Sequence, residues 1–138
     1  MQPSSSTSAT HPWGEAETPY VEIGGKDSVK RLVEDFYDII EAESPVLRAM
    51  LPRNTATSRQ KLYEFLSGWL GGPQLYWEKR GHPRLRMRHL PFSIGDEEAT
   101  EWMRCMEKAM DLGHVSGQLR DFLTTKLTES ALHLRNQS

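Results

Sequence analysis

The strongest constraint on the fold is an apolar stripe of helical period in the middle of the chain. Its members follow one another at i, i+3, i+4, i+7 and i+8: Leu62, Phe65, Leu66, Trp69 and Leu70. The Gly-Gly-Pro sequence at 71–73 comes directly after them, and this sequence is typical of a helix end. Thr57 or Ser58 is the expected N-cap. The stripe therefore predicts one long helix whose apolar face packs against other elements.

Three further segments have the same helical period, and no segment has a convincing period-two alternation. The first runs from an expected N-cap at Asp27 or Ser28 to residue 40, the second follows Asp96, and the third starts near Ser116. Short helices are expected after the Ser-Pro pair at 44–45, near residues 75–79 and around residue 89. The sequence thus predicts an all-α fold with four longer helices and two or three short ones.

The first 18 residues differ in composition from the rest of the chain. Residues 2–10 are mostly Ser, Thr, Pro and Ala, without the basic and apolar regions of a secretory signal. We expect residues 1–18 to form a disordered N-terminal tail. Residues 19–138 are expected to form one domain, because a chain of 138 residues supports one hydrophobic core.

Composition and charge argue against several classes of partner. The formal net charge of -2 gives no general attraction to nucleic acids or anionic membranes, so neither is expected as a partner. No apolar run approaches the ~20 residues that a membrane-spanning helix needs. Cys105 is the only cysteine, so no internal disulfide can form, as expected for a cytoplasmic protein.

One histidine lies between two of the predicted long helices. His89 belongs to the Arg-Met-Arg-His-Leu-Pro-Phe sequence at 86–92, and Pro83 and Pro91 limit the helical turn that holds it. A neutral imidazole nitrogen is a good ligand for haem iron, and the flanking arginines could meet carboxylates at the edge of such a cofactor. Taken alone, a histidine in this position is more often a structural or surface residue.

Further motifs stand at fixed distances around this histidine. They are Gly-Gly at 24–25, Phe-Tyr at 36–37, Trp-Leu-Gly-Gly-Pro at 69–73, Tyr76, the stretch from Arg80 to Phe92, and Trp102 followed by Arg-Cys-Met at 104–106. With these motifs, the sequence from about Tyr20 to Leu134 resembles the group II truncated haemoglobins. The resemblance implies a two-over-two helical sandwich, a truncated globin fold, that binds haem b (iron protoporphyrin IX) without covalent attachment. The absence of a Cys-x-x-Cys-His motif agrees with this.

The resemblance assigns a role to each residue of the expected haem site. His89 aligns with the proximal iron ligand, and Tyr37 and Trp102 align with distal residues that donate hydrogen bonds to a gas ligand. Where Leu51 aligns, the family usually has Tyr, His or Phe, so the resemblance gives no third polar contact there. The residues expected to bind the cofactor are Leu51, Lys61, Leu62, Phe65, Arg88, His89 and Phe92.

The resemblance implies reversible binding of O2, NO and CO at a five-coordinate haem iron. The alternative is an enzyme on the same scaffold, either a nitric oxide dioxygenase with a reductase partner or a weak peroxidase. A peroxidase usually needs a distal acid–base group, and Ser58 stands where a distal histidine would align. A sensor or interaction module is a third class, and the sequence leaves both a monomer and a homodimer open.

Overall fold

The computed structural model describes residues 10–89 and 94–136, apart from the side chains of Arg86 and Arg88, and this part contains eight α-helices. The four longer helices are α2 (Lys26–Glu43), α4 (Ala56–Trp69), α7 (Asp96–Leu112) and α8 (Gly117–His133). The four short ones are α1 (Pro19–Ile23), α3 (Pro45–Arg48), α5 (Leu75–Arg80) and α6 (Leu85–His89). The described residues contain no strand, only an isolated β-bridge between His11 and Gly14. The predicted all-α fold is confirmed, with one more short helix than expected.

The additional helix is α1, which is too short for apolar periodicity to reveal. The Thr18 hydroxyl accepts a hydrogen bond from the backbone N–H of Val21 at 3.1 Å, and Pro19 occupies the first helical position. Gly24 and Gly25 follow with φ angles of 118° and 83°, which side-chain-bearing residues rarely adopt. These two glycines let the chain turn directly from α1 into α2.

Several helix starts differ from the predicted positions by one to three residues. Neither α2, which begins at Lys26, nor α4, which begins at Ala56, has a capping hydrogen bond from a side chain. In α7 the N-cap is Gly95, whose N–H donates to the Glu98 carboxylate at 2.6 Å. The predicted start of α8 near Ser116 is correct, since Ser116 is the residue just before the helix. Where the cap is made by backbone geometry, a search for capping side chains places the start too late.

The hydrophobic core lies between two helix pairs. α2 packs against α4 and α7, and α7 packs against α8. Phe36, Met106, Met110 and Leu123 are the largest apolar side chains that are fully buried. This arrangement is the predicted two-over-two sandwich. None of the helices in the described ranges has the length and apolar character needed to span a bilayer.

Residues 10–18 pack against the helical domain. The Trp13 ring stacks on His11 at 4.7 Å between centroids and meets Phe122 of α8 edge-on at 5.2 Å. The indole N–H of Trp13 donates to the carbonyl oxygen of Ala16 at 2.8 Å. Residues 10–18 therefore differ from the disordered tail expected over residues 1–18, because Trp13 packs against Phe122 of α8. For residues 1–9, which lie outside the described part, the disordered tail stays a prediction.

Candidate functional site

A cavity of about 250 Å³ opens into the helical domain. Its wall comes from α2, α3, α4, α6, α7 and α8, together with Met50, Leu51, Ile94 and Leu134 in the connections. Most of the lining side chains are apolar. Among the described residues, the polar lining groups are Tyr37, His89, Glu98, Trp102 and Ser130. An apolar recess with a few polar groups is typical of a site for a small molecule or a cofactor.

His89, the last residue of α6, is half-buried and lines this cavity. Its Nδ1 atom lies 2.6 Å from the carbonyl oxygen of Leu85, one helical turn earlier. Because a carbonyl oxygen can only accept, Nδ1 carries a proton, and the lone pair of the neutral tautomer with this proton is on Nε2. Histidines that bind metals commonly donate their other ring N–H to a carbonyl in this way. The local fold of α6 therefore prepares His89 to act as an Nε2 ligand.

Tyr37 of α2 and Trp102 of α7 bring two hydrogen-bond donors to the same cavity. The Phe36 ring contacts both of them edge-on, with centroid distances of 5.2 Å to Tyr37 and 5.0 Å to Trp102. Neither the Tyr37 hydroxyl nor the Trp102 indole N–H forms a hydrogen bond with another residue in the part of the chain that the structure describes. Both donors can therefore serve a ligand in the cavity.

The Tyr37 hydroxyl is protonated at neutral pH. Burial raises the pKa of Tyr37 to about 12, although the positive charge of Arg59 acts in the opposite direction. The Arg59 guanidinium lies 5.6 Å from the centroid of the Tyr37 ring. Its ion pairs with Glu34, Asp38 and Glu41 of α2, at 2.5–3.0 Å, hold it there. The phenol is thus a neutral donor packed under a fixed cation.

The other residues expected to bind the cofactor differ in whether they line the cavity. Leu51, Leu62 and Phe65 line the cavity. Lys61 is exposed on α4 and is not a lining residue, so its contact with a propionate stays a prediction. The Arg88 side chain and the whole of Phe92 lie outside the described residues.

Several lining residues were missed by sequence reasoning, and helical period was the signal for most of them. The missed residues include Met50, Trp69, Leu85, Leu127 and Leu134. Trp69, interpreted from the sequence as a core residue, follows Leu62 by seven positions and so shares its face of α4. Leu85 precedes His89 by four positions and shares its face of α6 in the same way.

The residues present fit a haem group better than a bare metal ion. No cluster of three or more His, Cys, Asp or Glu side chains that could hold a metal occurs among the described residues. Glu98 is the only carboxylate among the described lining residues, and it accepts the N–H of Gly95. A single imidazole in an apolar recess would suit an iron whose other nitrogen ligands come from a porphyrin. Since the cavity of about 250 Å³ is small for a cofactor site, the polar edge of a porphyrin would extend outside it.

Comparison with known proteins decides the family. The model of the bacterial-like globin family matches residues 18–136. Group 2 truncated hemoglobin YjbI of Bacillus subtilis (strain 168) is 42% identical over 120 residues, which are 87% of this chain and 89% of that protein. The chain belongs to the group II truncated haemoglobins. Membership in a globin family implies a haem cofactor and a gaseous ligand such as oxygen.

This chain shares its fold with solved structures of truncated haemoglobins. The group II protein of Bacillus anthracis superposes with a TM-score of 0.86 at 40% identity, covering 88% of this chain and 98% of that one. The cold-adapted truncated haemoglobin of Pseudoalteromonas haloplanktis gives 0.85 at 40% identity, covering 88% and 100%. The truncated oxygen-avid haemoglobin of Bacillus subtilis gives 0.82 at 41% identity, covering 87% and 100%. The predicted family and fold are both confirmed.

Proposed function

We propose that this truncated haemoglobin binds haem b through His89 and binds O2 reversibly, with Tyr37 and Trp102 as distal hydrogen-bond donors. One observation carries the proposal: an apolar cavity is lined by an imidazole whose Nδ1 faces a carbonyl oxygen and by two donors that have no hydrogen-bond partner among the described residues. The oxygen-avid relative from Bacillus subtilis, at 41% identity, supports the choice of gas.

His89 has the proximal role in this proposal. Bound haem supplies an iron with one coordination position open to a diatomic gas. The Leu85 carbonyl holds the proton on Nδ1 of His89, so Nε2 is the ligating atom. Leu51, Leu62 and Phe65 line the cavity with apolar side chains, which would disfavour water there. Lys61 and Arg88 provide positive charge for the propionates at the edge of the cofactor.

Tyr37 and Trp102 select and retain the gas ligand. A phenol O–H and an indole N–H both donate, and donors are strongest where the local dielectric is low. Oxygen is the ligand that would gain most from Tyr37 and Trp102, because it would present a more negative atom to these donors than CO would. The pair therefore favours oxygen, while NO and CO bind with less help from the donors.

Nitric oxide dioxygenation is the second candidate function. It needs a retained oxygen molecule, which the Tyr37–Trp102 pair supports, and a reductase as electron donor. A peroxidase is less well supported, because His89 is the only histidine among the described lining residues and Glu98 is engaged in capping α7. Turnover of NO by the oxygen-loaded protein with a reductant would separate an enzyme from a carrier.

The proposal is tested by the spectrum of the purified full chain reconstituted with haemin. We expect a five-coordinate ferrous form that binds O2 and releases it on deoxygenation. His89→Ala should lose stable haem, and His89→Gly should regain it when imidazole is supplied. The matched control is His133→Ala, at an exposed position at the end of α8. A His89→Ala variant that keeps the wild-type ferrous spectrum would refute the proximal role.

A further inference from the structure

The end of the described chain pairs with the segment just before α7. The backbone N–H of Asn136 donates to the carbonyl oxygen of Ile94 at 2.8 Å. In return, the backbone N–H of Ile94 donates to Oδ1 of Asn136 at 2.9 Å. This reciprocal pair fixes the position of the Asn136 side chain.

The same side chain also reaches the residue that carries the candidate iron ligand. Nδ2 of Asn136 donates to the carbonyl oxygen of His89 at 3.3 Å. The orientation of the amide is unambiguous, because the Ile94 N–H can only donate and the His89 carbonyl can only accept. His89 ends α6, and the last carbonyls of a helix have no partner within it. Asn136 therefore caps the C-terminal end of α6 from 47 residues away.

Asn136 joins the two flanks of residues 90–93. His89 lies on one flank and Ile94 on the other, and one side chain binds both. Leu134, two residues before Asn136, lines the cavity together with Ile94. The C-terminal segment thus contacts the wall of the site on both sides of this short segment.

We propose that Asn136 is a positioning residue for His89, which sets the place of the imidazole by holding its backbone carbonyl. The inference rests on the proposed proximal role of His89. Helix α6 has only five residues, and so short a helix has little stability of its own. Within the described residues, the Leu85 carbonyl holds the His89 ring, and the Asn136 amide holds its backbone. Without the contact from Asn136 the turn would fray, and His89 would hold the cofactor less firmly.

The sharpest test compares Asn136→Asp with wild type in the haem-loaded full chain. Aspartate keeps an oxygen to accept the Ile94 N–H but has no N–H to donate to the His89 carbonyl. The control is Arg135→Ala, which breaks the neighbouring ion pair with Asp96 at 2.5 Å, a pair whose side chains are 41% and 76% exposed. Haemin transfer to an excess of apomyoglobin gives the rate of haem loss, and resonance Raman of the ferrous protein gives the iron–histidine stretching band.

We expect Asn136→Asp to lose haemin about five-fold faster, as for the loss of one net hydrogen bond, and to shift the iron–histidine band. Arg135→Ala should change neither, because exposed ion pairs contribute little. Asn136→Ala should change haemin loss at least as much, since it removes both the His89 and the Ile94 bonds. If the alanine variant does not fold, Asn136→Asp decides the question alone.

Several results would overturn the inference. The first is an Asn136→Asp protein with wild-type haemin loss and a wild-type iron–histidine band. The second is an equal change in Arg135→Ala, which would assign the effect to docking of the whole C-terminal segment. A purely structural role would lower the unfolding temperature of Asn136→Asp without moving the band, and this also counts against it. If His89→Ala retains a normal ferrous haem, the proposed function fails first and this inference fails with it.

Discussion

Replacing Tyr37 with phenylalanine isolates the contribution of one hydroxyl group to oxygen retention. The Tyr37 ring packs edge-on against Phe36 at 5.2 Å and beneath the Arg59 guanidinium at 5.6 Å. Phenylalanine fills the same space and keeps both ring contacts. Because the hydroxyl makes no hydrogen bond with another described residue, its removal leaves no described protein group without a partner. The change in oxygen release therefore reports on the ligand contact alone.

The magnitude follows from burial and protonation. Tyr37 is 8% exposed, and burial raises its pKa to about 12, so the hydroxyl is a desolvated neutral donor at pH 7. A net hydrogen bond contributes roughly 0.5–1.5 kcal/mol, and the upper end applies in an apolar recess to a partly negative acceptor. Since about 1.4 kcal/mol is a factor of ten, Tyr37→Phe should raise the oxygen dissociation rate about tenfold. Dissociation of CO should change by a smaller factor.

Stopped-flow mixing of the oxygen-loaded ferrous protein with excess CO measures this rate directly. Trp102→Phe, which removes the second donor, should also accelerate oxygen release. The matched control is Tyr63→Phe, because Tyr63 is equally buried, at 7% exposed, but does not line the cavity. Its oxygen dissociation rate should equal that of wild type.

Tyr37 should stay protonated over the pH range of the assay, and the two distal variants give the results that could refute its role. Because the pKa of Tyr37 is about 12, ionisation of this phenol cannot alter oxygen release between pH 6 and pH 9. Unchanged release in both Tyr37→Phe and Trp102→Phe would show that neither side chain contacts the gas. A tenfold effect in Tyr63→Phe would show that the change arises from packing, and the reasoning from the cavity geometry would be wrong.

Two predictions concern stability. Burial disfavours the charged form of Glu64, but hydrogen bonds from Arg80 and two neighbours outweigh it and lower the pKa from 4.5 to about 2. The ionised carboxylate of Glu64 therefore stabilises the fold above pH 4.5, and this stabilisation is lost as the pH falls towards 2. Wild type should be more stable than Glu64→Gln at pH 7, by at most about 3 kcal/mol, and this difference should shrink as the pH falls from 4.5 towards 2. Urea unfolding at pH 7 and pH 3 measures it, and a difference that does not depend on pH contradicts it. Gly72→Ala should destabilise the protein by about 1–3 kcal/mol, because the added Cβ would lie 2.4 Å from the Tyr20 ring, whereas the control Gly113→Ala meets nothing closer than 3.6 Å. Thermal unfolding of the two variants tests this, and equal melting temperatures would contradict it.

The long helices could be predicted because each repeats one physical pattern many times. In α4 the stripe from Leu62 to Leu70 and the glycine pair after it agree about the position and the end of the helix. Helix α1 could not be found in this way, because five residues make too short a stripe and only Thr18 and Pro19 signal its start. The packing of Trp13 on Phe122 was also missed, because a lone tryptophan in a polar segment gives no period.

The same physical reason decides which residues of the candidate site could be predicted from the sequence. Tyr37, Leu62 and Phe65 belong to helical stripes, and the resemblance to a known family then gave them roles. Trp69 already belongs to the α4 stripe, and Leu85 lies one turn before His89 in α6, so both could have been assigned to the cavity from the sequence. The tautomer of His89 also has a local origin, since its partner carbonyl lies four residues earlier on the same helix.

The contacts of Asn136 could not be predicted from a sequence pattern. Its bonds to His89 and Ile94 use backbone carbonyl and N–H groups, which every non-proline residue possesses, so they leave no mark on the residue types they join. From the sequence alone, a polar asparagine in this position is interpreted as a surface residue. Only the three-dimensional path of α8 brings it to the end of α6. In the proposed site, this distant backbone contact holds the end of the short helix that carries His89, and only a structure can reveal it.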